Sequence, residues 1–234
     1  MERAYGAKPT LRELLEEIKN VTHDLPAFLT APLYRRRHLH WGASPEEIHR
    51  ALPGDGLLRR AQFNATRAMT IEAPPETVWP WLVQVGCRRA GWYSNDLLDN
   101  LGRPSATTIV PSLQHIAVGE WVPMSPSRAP SETTAFRIHS FEINQWLLWT
   151  KPDSTWVWQL APTTDNGTRL VTRTRAVYDW RHPLMAVLGV LLMEFGDFAM
   201  IRRMLRGIKA RAEPPVRNAG RPTGANGMRS AAHH

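Results

Sequence analysis

The chain has 234 residues, 43% of them hydrophobic, with a formal charge of +8 and a pI near 10.3. That is enough apolar material for one sizeable core, and it excludes global disorder. A single cysteine, Cys87, excludes an internal disulfide framework and a thiolate-rich zinc site. The N-terminus has no apolar stretch followed by a small-residue cleavage pattern, so no secretory signal is read and a cytoplasmic protein is expected. The positive balance raises the prospect of an anionic partner. It collects, however, in Arg35 to Arg37, at the end of a C-terminal helix and in the tail, where capping and solvation explain it first. No aromatic-basic interleaving accompanies it, so no nucleic-acid partner is expected.

In chain order, Thr10 and Glu13 set a capping box for the helix LRELLEEIKNV, with Leu11, Leu14, Leu15 and Ile18 on one side. A second segment runs from Pro26 to about His40. His38 and His40 have no third ligand at a matching offset and read as a surface pair. In WGASPEEIHRALPGD, Ser44 caps a helical turn with Pro45 first and Glu47 three residues on, stopped by Pro53-Gly54-Asp55-Gly56. This region is expected to pack on the outside of the main domain.

The main domain opens on FNATRAMTIEA, a strand in which Phe63, Ala65, Met69 and Ile71 share one parity that Arg67 breaks. Ala73-Pro74-Pro75-Glu76 then turns into a helix burying Val78, Trp81, Leu82 and Val85, kinked by Pro80 and ended by Gly86. Ser94 caps a short helix with Leu97, Leu98 and Leu101 inside and Gly102 closing it. Strands are expected near Trp121 to Met124, Thr133 to Phe141, Trp146 to Thr150, Thr155 to Ala161 and Thr168 to Val177. The connections VGE, EINQ and TTDNGT supply the turn residues.

Arg181 to Arg211 reads as one long helix whose Leu184, Leu188, Leu191, Phe195, Phe198 and Leu205 lay a continuous apolar stripe. Glu194 and Asp197 interrupt the run well short of the roughly 20 residues a bilayer span needs, so it is read as a core helix. On that reading, Phe195→Asp abolishes cooperative unfolding. Arg202, Arg203, Arg206, Lys209 and Arg211 complement the helix dipole. The tail, 214–234, is rich in Pro, Gly, Ala, Asn and Arg and is expected to be disordered. His233 and His234 enter no metal argument. The order of elements predicts an α+β fold, an antiparallel sheet curling around the final helix.

With TIEAPPETVWPWLVQVG leading into the first domain helix, VGEWVPM entering a strand, TRLVTRTRAVY as last strand and LLMEFGDFAMIRRMLRGIKARAE closing, the chain resembles the START-like, helix-grip (SRPBCC) superfamily. More narrowly, it is similar to bacterial members labelled polyketide cyclase or dehydrase, in which a WGA…LPGD segment precedes the domain. The resemblance covers about Trp41 to Glu213. It divides the chain into a helical extension (1–40), a ligand-binding domain (41–213) and the tail. It implies a deep cavity between curved sheet and last helix that takes a hydrophobic or amphipathic small molecule.

The residues expected to line such a cavity are Trp81, Trp92, Tyr93, His139, Trp156, Trp158, Phe195 and Phe198. Trp156 and Trp158 share a parity with Leu160, and Trp92 and Tyr93 sit in a glycine-flanked loop. For any one tryptophan, a core role is the commoner outcome. No phosphate loop, nucleophile elbow or metal motif is present, so neither a cofactor nor a metal is expected. The groups that burial could tune as acid or base are His115, His139, Asp96, Glu194 and Asp197. Against that, Glu194 and Asp197 are expected to pair with Arg202 or Arg203, and His139 to face solvent beside Ile138. Arg173 and Arg175 have the exposed parity, the alternative being arginines that enter the cavity to bind a carboxylate.

The reading is a non-catalytic binder of a lipid- or polyketide-like molecule. Its alternatives are a cofactor-independent cyclase or dehydratase and, third, a peripheral membrane protein. Glu13, Glu16 and Glu17 on the first helix oppose an anionic surface, so weak or no vesicle binding is expected.

Overall fold

A computed structural model describes residues 9–213, so the expected tail and the first eight residues of the extension lie outside the described residues. Six strands form one antiparallel sheet in the order β1-β6-β5-β4-β3-β2. They are β1 (Phe63–Ile71), β2 (Trp121–Pro123), β3 (Ala135–Glu142), β4 (Trp146–Lys151), β5 (Ser154–Pro162) and β6 (Thr168–Ala176). Every expected strand is present. The turns place Asn144, Asn166 and Gly119 at positive φ, where asparagine and glycine are tolerated best.

The helices are α1 (Leu11–Thr30), α2 (Arg35–Leu39), α3 (Pro45–His49), α4 (Pro75–Val83), α5 (Asp96–Asp99), α6 (Pro183–Leu191) and α7 (Asp197–Ala212). Both capping boxes form. The Thr10 amide donates to Glu13 Oε2 at 2.7 Å, and the Ser44 amide donates to Glu47 Oε2 at 2.7 Å. The first helix is longer than expected and continues through Pro26. Only Leu14 of its apolar set is half-buried, while Leu11, Leu15 and Ile18 are exposed.

The final helix departs most from expectation. It is two α-helices joined by a π-turn, Leu192–Gly196. A π-turn offsets the helical phase by one residue, about 100°. Phe198 and Leu205 therefore face the sheet and are buried, whereas Leu184, Leu188 and Leu191 are exposed and Phe195 is 36% exposed. The sheet grips α7 alone. An aspartate at 195 would consequently meet solvent, and the expectation that Phe195→Asp abolishes folding is corrected. The helix after Ser94 is likewise shorter than expected, with Leu98 and Leu101 exposed.

Two further corrections concern arginines. Arg67 does not break the buried face of β1 but belongs to it: it is 2% exposed, contacts Asp197 Oδ2 at 2.6 Å through Nη1, and donates from Nε to the His38 carbonyl at 2.8 Å. Asp197 therefore pairs with Arg67, and Glu194 with Arg35 at 2.8 Å, rather than either with Arg202 or Arg203.

Arg173, expected at the surface, is 4% exposed. It lies under the segment around α3 and donates to Thr66 Oγ1, Asp55 Oδ2 and the carbonyls of Glu47, Ile48 and Arg50. Arg175 donates to the Asp55 carbonyl, and Arg169 makes a two-pronged contact with Glu47 at 2.8 Å on each arm. These side chains fasten the segment to the convex face, where Leu52 packs on Ala68, Leu148, Val157 and Val171. They do not enter the concave interior. His38, read as half of a surface pair, stacks on Phe198 with ring centroids 3.9 Å apart.

Candidate functional site

Even-numbered residues of β5 face α4 and α7, as strand periodicity dictates, and what they meet there is other aromatic rings. Trp156 stacks on Trp92 with centroids 5.8 Å apart and planes 4° from parallel, meets Trp149 edge-on at 5.4 Å and touches Trp158 at 4.9 Å. Phe136 closes the group against Trp149 and Trp156. Trp81 and Tyr93 cross edge to face at 6.1 Å, and the Tyr93 hydroxyl accepts from Gln84 Nε2. The tryptophans expected to line a cavity thus pack against one another on the concave side of the sheet. Trp156 Nε1 donates to Thr172 Oγ1 at 2.8 Å, whereas the buried indole N–H groups of Trp149 and Trp158 have no acceptor among the described residues.

The structure brings Trp81, Trp92, Tyr93, Trp156 and Trp158 together in this core, with Phe198 buried further along α7 beside His38 and Trp41. It separates the other two. His139 is exposed at an irregularity between Ile138 and Ser140, its ring hydrogen-bonded to the neighbouring Ser140 hydroxyl, and Phe195 sits outside the grip. Of the remaining acid-base groups, His115 is exposed. Asp96 accepts from both the amide and hydroxyl of Ser105, and burial raises its pKa. Cys87 is buried and accepts from the Trp92 indole, and burial pushes its thiol up to about 11, so it stays protonated and inert.

Two depressions flank the outer side of α7. One, of about 410 Å³, lies between α1, the 93–96 loop and α7. Several of its charges are engaged: Arg203 donates to Asp24 at 2.8 Å, Asp96 is held by Ser105, and Arg211 donates to the carbonyls of Ala106 and Gly207 while lying over the Tyr93 ring. These contacts tie α1 and the loop to α7. The other, of about 590 Å³, is an apolar groove made by Leu98 and Asp99 of α5 with Leu191, Leu192, Phe195, Gly196 and Met200. That volume is within the range of small-molecule sites.

Asp99 is the groove's carboxyl. Burial pushes it up to about 7, although the Asn95 amide donates to its Oδ2 at 3.1 Å. Neither this residue nor the groove was anticipated. The signal was the absence of a polar face on α6: Leu184, Val187, Leu188, Leu191, Leu192 and Phe195 follow the i, i+3, i+4, i+7 spacing, yet nothing polar lies opposite until Glu194. Among the described residues, no group of three or more His, Cys, Asp or Glu side chains is placed to hold a metal ion.

No family model matches the chain. None of the curated proteins matches it either. Among solved structures, a solution structure from Thermobifida fusca is 17% identical with a TM-score of 0.40, covering 64% of this chain and 92% of that one. A protein from Staphylococcus saprophyticus is 16% identical with a TM-score of 0.37, covering 63% and 90%. A conserved protein of unknown function from Enterococcus faecalis is 14% identical with a TM-score of 0.33, covering 63% and 83%. Likeness at this level carries no argument about activity.

Proposed function

We propose that this is a START-like protein of the SRPBCC type that binds a hydrophobic or amphipathic small molecule, lipid- or polyketide-like, without transforming it, and that the molecule lies in the outer groove. The apolar groove at the π-turn carries this reading. It joins Leu98, Leu191, Leu192, Phe195 and Met200 around a volume suited to an acyl chain, whereas the rings on the concave side of the sheet pack against one another. An environment-sensitive apolar dye is expected to bind with a blue-shifted emission. Leu98→Asp combined with Met200→Glu, which sets two charges in the groove, is expected to weaken it at least about tenfold. Fluorescence titration checks this, and equal affinity for parent and variant contradicts it.

Asp99 favours a second reading, a cyclase or dehydratase. A carboxyl with a pKa near neutrality at the rim of an apolar groove suits a proton donor. Time-dependent conversion of a bound polyketide-like compound, lost in Asp99→Asn, would establish it. The same variant has a stability signature. Because the folded-state pKa of Asp99 lies above the ordinary 3.8, its contribution is complete below about pH 4 and is lost as pH rises through about 7. The melting temperature of the parent is therefore expected to fall relative to Asp99→Asn across that window, and parallel melting curves would contradict it.

A further inference from the structure

Pro183–Gly196 is a helix with an apolar side turned outward. Leu184 is 86% exposed, and Val187, Leu188, Leu191 and Leu192 are each close to half exposed, while its inward side rests through the buried Ala186 and through Gly189, which lies against the Tyr178 ring. An apolar stripe of this kind is covered by a partner in the working state.

The surrounding charges say which kind. No acidic residue occurs from Pro183 to Met193. Of the carboxylates near the stripe, Glu194 is paired with Arg35 and Asp197 with Arg67, Asp179 is hydrogen-bonded to His182 at 3.0 Å, and Asp99 lies in the groove at the stripe's far end. Exposed cations remain. Arg36 and Arg37 follow Arg35, which its bond to Glu194 holds beside the π-turn, and Arg181 precedes α6. Arg36 and Arg37 have no salt-bridge partner among the described residues, and Arg181 is exposed beside Asp179, to which its amide donates. A second copy packed stripe to stripe would set these cations against their own images, whereas a surface of anionic headgroups satisfies both the stripe and its rim. No described helix is long and apolar enough to cross a membrane. At about 20 Å in length, the segment is suited to lie in the plane of the interface.

We propose that Pro183–Gly196 docks the protein onto an anionic lipid bilayer, Leu184, Val187 and Leu188 entering the headgroup boundary and Arg36, Arg37 and Arg181 meeting the headgroups. This reverses the weak vesicle binding expected from the acidic face of α1, because the docking element is α6. It goes beyond the groove reading and does not depend on it, since Leu184 and Leu188 lie outside the groove.

The test is co-sedimentation with phosphatidylcholine vesicles, with and without phosphatidylglycerol, at low and physiological salt. Binding is expected to the anionic mixture and to weaken as salt rises. Leu184→Asp with Leu188→Asp is expected to cut it at least about tenfold, while the thermal melt and dye binding at the groove stay as in the parent. Three results overturn the proposal: no sedimentation with anionic vesicles, equal sedimentation of parent and double variant, or sedimentation with phosphatidylcholine alone that matches the anionic mixture. A dimer in the analytical ultracentrifuge that the double variant dissociates, with no vesicle binding by the parent, would likewise overturn it and assign the stripe to a second copy.

Discussion

Arg67→Met is expected to destabilise the fold by about 3–5 kcal/mol, because breaking one partner of a buried ion pair strands the other charge. The stranded group is Asp197, 9% exposed at the first position of α7, with Arg67 its ion-pair partner. The methionine also leaves the His38 carbonyl without the guanidinium Nε that now donates to it. The contact links β1, α7 and the end of α2, so its loss loosens the place where the gripped half of the C-terminal helix begins. Urea unfolding followed by circular dichroism gives the number. Arg67→Met with Asp197→Leu is expected to regain much of the loss, since an apolar pair of similar volume has no buried charge to strand. A double variant no more stable than Arg67→Met would show that the pair acts through something other than its charges.

Trp156→Ala is expected to cost about 3–5 kcal/mol as well, the usual range for emptying a buried aromatic site. The ring stacks on Trp92, meets Trp149 and Trp158, and closes a hydrogen bond to Thr172. Its removal deletes the centre of the cluster. This result discriminates between two roles. A tryptophan that lines a roomy cavity gives up few contacts when truncated and changes ligand affinity more than stability. A tryptophan that fills the core does the opposite. Thermal melts of Trp156→Ala alongside dye titration separate them, and a melt within a degree or two of the parent would mean that the interior is open.

The strands were legible because alternation with period two survives locally, and because Asn144, Asn166 and Gly119 mark turns wherever they stand. The capping boxes at Thr10 and Ser44 are complete within four residues and were equally plain. What escaped were features whose cause lies far away in sequence. Arg67 looked like an interruption because its partner, Asp197, belongs to a helix more than a hundred residues on. Arg173 looked exposed because strand parity does not tell that a segment before the sheet covers its convex face. The groove was hidden by the π-turn. An unbroken α-helix keeps Leu184 to Leu205 on one face, and one offset of phase sends the first half of that stripe outside, where it builds the groove. The tryptophan parity on β5 was correct, but parity places a ring on a face and does not say whether the space beyond it is empty.

The claim that the ligand site lies outside the grip is tested most directly by nuclear magnetic resonance with a nitroxide-labelled acyl amphiphile. Paramagnetic broadening falls off steeply with distance, and the two locations have distinct reporters. The outer groove has the methyl groups of Leu98, Leu191, Leu192 and Met200, and the interior has the indole N–H groups of Trp149, Trp156 and Trp158. Broadening of the four methyl signals with sharp interior indoles is the expected result. Broadened interior indoles with the groove methyls unaffected would contradict it and return the ligand to the space between sheet and helix.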